Sequence, residues 1–297
     1  QCVNKLKQLS LAVLNYEPAK KVLPYGSTPN YTGTWKTGLC AGAAATPPAS
    51  NNMAHHSFFS FILPYIEEQA TYDQIKFTAN WYDTTNNTTT GKPYNAAFSK
   101  DIEAFLCPST EARPGTYTTD YNFISRIDQD QYCSQVDNTA PAKRAVDKLL
   151  GMLTDTQNSI RKVSDGMSKT IMLVESAGRP NHYTTGRTLK QPGAGGGLTD
   201  YQWGDGGDAT DGSNGIYMVW NRTTSPPGAM PTDITTRCPM NSAVMNCDNY
   251  KSVYSFHSGG CNVAFGDGSV QFVKEDVSAD TFVSLITRAA GDQTGEF

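Results

Sequence analysis

Four histidines, several carboxylates in glycine-rich surroundings and seven cysteines are the residues of this 297-residue chain whose types suit chemistry. His257 is followed, after nine residues, by the pair Asp267-Gly268. A His–Asp pair invites a general-base reading, but the residues between argue against it. Val263 and Phe265 alternate before Gly266-Asp267-Gly268, and Val270 and Phe272 alternate after it. Period-two patterning about an Asp-Gly turn predicts a hairpin. The expected meander has strands at 252–257, 261–266 and 269–274, with Val263, Phe265, Val270 and Phe272 on one face. His257 and Asp267 then lie at opposite ends of the middle strand, about 20 Å apart, too far to hydrogen-bond. The motif reads as structural: Gly259-Gly260 and Asp267-Gly268 supply turn residues that tolerate positive φ. His257 packs or hydrogen-bonds near the first turn.

Other catalytic sets fare no better. No Gly-x-Ser-x-Gly elbow supports a serine nucleophile. His55 and His56 are adjacent and would point apart, which makes a poor metal pair. Glu67-Glu68 fall on the outer face of a helical stretch, and Glu175 ends a buried apolar strand, Ile171-Met-Leu-Val-Glu175. Nothing has the pattern of paired glycosidase carboxylates, so a secreted hydrolase lacks its acid–base set and the expectation is a protein that is not an enzyme. For a metal, Asp205, Asp208, Asp211 and Asn214 lie within ten residues on a glycine-rich segment. Hard Ca²⁺ takes six to eight such oxygens, so calcium is the expected ion, although the segment is not an EF-hand.

The cysteines point to an oxidising compartment. They form no repeated Cys-x-x-Cys pair, which argues against zinc. Cys238 and Cys247 bracket a short loop and are the expected local disulfide; Cys107 and Cys133 are candidates for another. The odd count leaves one thiol, Cys2 or Cys261, and buried reduced thiols are the other reading. Asn30, Asn86, Asn87 and Asn221 begin Asn-x-Thr acceptor sequences in surface loops, as a glycoprotein would carry. A net charge of −4 without a basic cluster excludes nucleic acid as the expected partner. No stretch approaches the roughly 20 apolar residues of a membrane span.

The elements that must position these residues are legible in outline. Leu6, Leu9, Val13 and Tyr16 recur at spacings of three and four, so residues 2–17 read as a helix ended by Pro18. Helical spacing returns over 57–77, with Pro64 kinking or dividing it. Strands are expected at 102–106, 117–124, 171–175 and 216–220, with a strand and turn in 149–161 and a short amphipathic helix at 279–288. Polar insertions separate them. A helix followed by mostly antiparallel strands is an α+β pattern. The organisation expected is a helix over 1–20 and one β-rich head over 21–297.

Several blocks in order also carry a resemblance. They are Cys2-Val-Asn-Lys-Leu-Lys-Gln-Leu-Ser-Leu-Ala-Val-Leu-Asn-Tyr16, Phe61-Ile-Leu-Pro-Tyr-Ile-Glu-Glu-Gln69, Phe105-Leu-Cys-Pro-Ser109, Ser164-Asp-Gly-Met-Ser-Lys-Thr170 leading to Glu175-Ser176, and Thr287-Arg-Ala-Ala-Gly291. With His257 and Asp267-Gly268, they make the chain similar to the bacterial DUF1559, or H-X9-DG, prepilin-like family. That resemblance implies a pilin- or pseudopilin-like fold, with the first helix packed across an antiparallel sheet and preceded by a membrane helix. The sequence begins where that membrane helix would end. It implies an exported, extracellular structural subunit that assembles with copies of itself or with other pilin-like subunits. Its assembly stripe would be Leu6, Leu9, Val13 and Tyr16. Some pseudopilins bind calcium in a loop beside their last strands, which favours the Asp205–Asn214 reading. The alternative is a secreted carbohydrate-binding or adhesive module using Trp35, Trp81, Trp203 and Trp220 to stack on glycans.

Overall fold

Residues Cys2–Lys20 form one 19-residue helix, α1, in the computed structural model. Pro18 lies within it rather than ending it. A proline costs a helix one hydrogen bond, and here the loss falls in an exposed last turn. The helix instead stops at Lys21, which is left-handed (φ 62°) and whose N–H bonds to Glu17 O at 2.6 Å. The structure describes residues 1–28, 35–36, 44–45, 53–81, 83, 96–114, 116–127, 150–191, 203–204, 244–247, 249 and 252–291.

Two short strands follow, β1 (Trp35–Lys36) and β2 (Ala44–Ala45). The helical stretch after them is divided at Pro64, as its sequence predicts. Phe58–Ile62 is α-helical, Leu63–Ile66 is a 3-10 turn with the proline near its start, and Gln69–Tyr72 is a further helical turn. Glu67, left-handed at φ 67°, makes the break. The expected strand at 102–106 is instead a 3-10 turn, Glu103–Phe105.

The remaining strands are β3 (Tyr121–Asn122), β4 (Ile171–Glu175), β5 (His182–Thr184), β6 (Thr188–Gln191), β7 (Gly260–Phe265) and β8 (Val270–Lys274). Four of them build an antiparallel sheet in the order β3-β4-β7-β8. Residues 252–257 do not add the expected third strand of a meander. Tyr254 makes one isolated bridge to Ser176, and β4 takes the place beside β7. Side chains occupy the backbone of 252–257: Ser255 N–H donates to Asn246 Oδ1 and His257 N–H to Ser255 Oγ. Such local bonds compete with a ladder.

The hairpin register also differs from expectation. Ala264 pairs with Val270 and Asn262 with Phe272, so Val270 and Phe272 share a face with those residues and not with Val263 and Phe265. The cause is the loop. Gly266-Asp267-Gly268 is a three-residue connection closed by Phe265 N–H to Ser269 O at 2.8 Å, with Gly268 left-handed at φ 83°. A three-residue loop of this kind places its last residue in the left-handed region. One residue more or fewer would have reversed the faces.

Every residue of β4 and β7 is buried, because both faces of the sheet are covered. On one face Leu6, Leu9 and Val13 of α1 join Met172, Leu173 and Ala264. On the other, Cys261, Val263 and Phe265 meet Phe282, Leu285 and Ile286 of the last helix, Ala279–Ile286. Ser278 caps that helix, accepting from Thr281 N–H. A helix laid over an antiparallel sheet, with a second helix behind it, is an α+β fold. No helix among the described residues is long and apolar enough to cross a membrane.

Candidate functional site

The site lies where the start of α1 meets the ends of β4 and β7. Glu175 is the last residue of β4 and its side chain is fully buried, opposite the polar Asn262 in an otherwise apolar strand. A carboxylate there must be hydrogen-bonded to be tolerated, and it is. Glu175 Oε2 accepts from Asn262 N–H at 2.8 Å, and Asn262 Nδ2 donates to Oε1 at 3.2 Å. His257 Nε2 completes the set, 3.0 Å from Glu175 Oε1. The hydrogen bond that His257 donates to Glu175, aided by the carboxylate's charge, raises the His257 pKa above the usual 6.5, and partial burial opposes this.

The backbone of His257 is held as firmly. Its N–H donates to Ser255 Oγ at 3.1 Å, Ser255 Oγ donates to Gly260 O at 2.7 Å, and the His257 carbonyl accepts from Arg187 Nη2. Asn246 braces the same turn, reaching Glu275 Oε2 at 3.0 Å. The imidazole is turned toward Glu175.

Two sulfurs complete the surroundings. Cys2, in the first turn of α1, is disulfide-bonded to Cys107 across 105 residues. Cys107 Sγ faces His257 Nε2 at 4.0 Å. Cys107 is fixed in turn by its N–H to Asp120 Oδ2 at 2.9 Å, and Asp120, itself buried, pairs with Arg113 and accepts from Gly178 N–H at 3.0 Å. Tyr121 Oη reaches the Cys2 carbonyl at 3.4 Å. As found, the arrangement is a clamp: a disulfide and a carboxylate–imidazole pair join helix, sheet and loop. The sulfur facing the imidazole is held in the disulfide and is no free nucleophile.

The other half of the His257 motif sits at the far end of β7. Asp267 Oδ1 accepts from Ser269 N–H at 2.9 Å and from Ser269 Oγ at 2.6 Å, closing the turn. A Cβ on Gly268 would lie 3.3 Å from Leu14 Cδ1 and 3.7 Å from Leu11 Cδ2. The motif therefore spans α1, from Cys2 at one end to Leu11 and Leu14 at the other. His257 and Asp267 lie at opposite ends of β7 with separate partners, as the spacing predicts.

The expected Cys107–Cys133 bond is corrected, since Cys107 pairs with Cys2. Sequence proximity favoured 133, while the fold carries residue 2 to residue 107. Cys247 is disulfide-bonded; Cys133 and Cys238 lie outside the described residues. Cys261 is a buried free thiol, one of the two predicted for the odd place. The proposed assembly stripe is corrected too. Leu6, Leu9 and Val13 are wholly buried and Tyr16 nearly so, within this chain's own core. A face spent on the sheet cannot also meet a neighbouring helix. Trp203 is buried as well, its Nε1 donating to Lys100 O at 2.9 Å, so it cannot stack on a sugar. Trp81 is partly buried against Phe98. The side chain of Trp35, together with Trp220, Asp205, Asp208, Asp211, Asn214, Asn30, Asn86, Asn87 and Asn221, lies outside the described residues. His55 and His56 point apart as expected, to Ser27 Oγ and to Ala79 O, each at 2.9 Å.

Sequence reasoning singled out Glu175 and His257 but did not join them, and it missed Asp120 and the Cys2–Cys107 pair. Cys2, Cys107, Glu175 and His257 all belong to segments on which the family resemblance rests, and that shared membership was the available signal. A helix packed on an antiparallel sheet, its start fastened by a disulfide to the loop at Cys107, defines an α+β protein built around a fixed first helix. The chain belongs to the family described as proteins of unknown function, DUF1559, whose model matches residues 1–280. No curated protein and no solved structure matches it.

Proposed function

We propose that this chain is an exported, pilin- or pseudopilin-like structural subunit that assembles through its first helix into a filament or surface fibre. One observation carries the reading: α1 is locked to the head along one face while its other face bears exposed apolar residues. Its inner face packs on β4, β7 and β8, and the disulfide fixes its start. On the outer face Val3 is 42% and Leu11 46% exposed. Burying a leucine side chain contributes about 1.5–3 kcal/mol, so repeated contacts along a fibre make a stable helix bundle. The neighbour-facing surface is then Val3, Lys7 and Leu11, not the inner stripe. The buried disulfide supports export to an oxidising compartment. In this reading no residue performs chemistry, and the Asp205–Asn214 segment holds calcium.

Electron microscopy of the native material tests it. Filaments labelled by an antibody to this chain are expected. Isolated particles only, from protein with its natural N-terminus, would overturn the reading.

A further inference from the structure

Four distant segments converge at the clamp, and their side chains form a set with its own chemistry. Cys2 comes from α1, Cys107 from the stretch after Glu103–Phe105, Glu175 from the end of β4 and His257 from the turn before β7. One ligand atom from each, two sulfurs, a carboxylate oxygen and an imidazole nitrogen, all lie within 4.8 Å of one another. We propose that reducing the Cys2–Cys107 disulfide converts this clamp into a tetrahedral site for a zinc-class divalent cation.

The donor set selects the ion. Two thiolates and an imidazole suit zinc and its congeners, whereas calcium and magnesium take oxygen. The spacing agrees. A tetrahedral zinc with its nitrogen and oxygen donors at about 2.0–2.2 Å places them about 3.3 Å apart. Glu175 Oε1 and His257 Nε2 already lie 3.0 Å apart. The two sulfurs must part from bonding distance, and the gap between Cys107 Sγ and His257 Nε2, now 4.0 Å, must close slightly. The supporting bonds that metal sites require are also in place: Asn262 N–H holds the second Glu175 oxygen at 2.8 Å, and Asp120 holds the Cys107 N–H at 2.9 Å. A groove of about 270 Å³, lined in part by Lys5, Glu103, Cys107 and Arg113, gives a path to Cys107.

The chemistry balances with a dithiol as reductant. It gives two electrons and two protons, becoming a disulfide while Cys2–Cys107 opens to two thiols. Binding the cation then releases both thiol protons, and the imidazolium proton where His257 is charged. Either state holds the start of α1, by a covalent bond to the Cys107 loop or by a metal that also reaches Glu175 of β4. The inference does not depend on filament assembly and is tested on the isolated chain.

The purified 297-residue chain is reduced anaerobically with a phosphine, freed of it and titrated with Co²⁺. Expected are saturation at one equivalent, sulfur-to-cobalt charge-transfer absorption with tetrahedral visible bands, and displacement by Zn²⁺. The oxidised chain shows none of these. Glu175→Gln and Asn262→Ala, which keep both cysteines, weaken binding by about 10–100-fold, with circular dichroism reporting that each is folded. Absence of the charge-transfer band in the reduced, folded chain overturns the proposal. So does an unchanged spectrum in the Cys2→Ser, Cys107→Ser double variant, which would place cobalt on other thiols. A reduced chain that unfolds and is not refolded by Zn²⁺ overturns it equally.

Discussion

Glu175 Oε1 lies 3.0 Å from His257 Nε2, although 82 residues separate the two in the chain. The pair makes stability depend on pH. Folding raises the His257 pKa above 6.5, mainly through this hydrogen bond, so the native state holds the proton more tightly than the unfolded chain. The stabilisation is complete below about pH 6.5 and is lost as pH rises through the folded value. Glu175→Gln is expected to cost about 1.5–3 kcal/mol at acid pH, the range for a hydrogen bond to a charged group, and to flatten this dependence. Melting temperatures of both proteins from about pH 6 to about pH 8 check it; equal slopes would separate the pair from stability.

His56 titrates with the opposite sign. It is buried between Phe77 and Phe98, with ring centroids 5.0 and 5.7 Å away, and burial lowers its pKa to about 4. Below about pH 6.5 the unfolded chain takes up a proton that the native state refuses. Acidification through that window should remove stability, on the order of 3 kcal/mol by its lower end. His56→Phe keeps an aromatic ring in place and removes the titration. Its melting temperature should fall less steeply between about pH 6 and about pH 4 than that of the parent, even if it starts lower for want of the bond to Ala79 O.

How much of this was legible depends on the range of the signal. The helix over 2–17, the break at Pro64, the strand 171–175 and the Asp-Gly hairpin were readable because each is set by residues within a few positions. The hairpin faces were not, because they turn on whether the loop holds two, three or four residues. The clamp was legible only as parts. Glu175 stood out as a carboxylate ending an apolar strand and His257 as a motif residue, but no periodicity joins positions 82 residues apart. Cys2 was read only as a candidate for the unpaired thiol, since local spacing favours Cys107 with Cys133.

Gly259 and Gly268 allow the contact between hairpin and helix to be isolated. Their φ values, 80° and 83°, are nearly equal, so alanine meets the same backbone strain at each. A Cβ on Gly259 would meet nothing within 4 Å, whereas one on Gly268 would lie 3.3 Å from Leu14 Cδ1. Gly259→Ala should cost about 1 kcal/mol, the usual left-handed penalty. Gly268→Ala should cost more, by up to about 1 kcal/mol of overpacking. That excess should vanish in a Leu14→Ala background, as a double-mutant cycle in denaturant would measure. An excess that persists would mean the turn does not press on α1.

Leu9 and Leu11 separate the two faces of α1, and with them folding from assembly. Leu9 is fully buried against the sheet, while Leu11 is 46% exposed. Leu9→Ala should destabilise the isolated chain by about 2–5 kcal/mol through the lost transfer energy and the cavity it leaves. Leu11→Asp removes apolar surface that the monomer uses only in part, so its stability should change by no more than about 1 kcal/mol. In a filament the aspartate would be buried against a neighbouring helix without a partner, which costs several kcal/mol per subunit. The expected outcome is a folded chain that no longer forms fibres, seen by a melting temperature within a few degrees of the parent's beside empty micrographs. Fibres of normal length from Leu11→Asp would remove the outer face of α1 from the assembly surface.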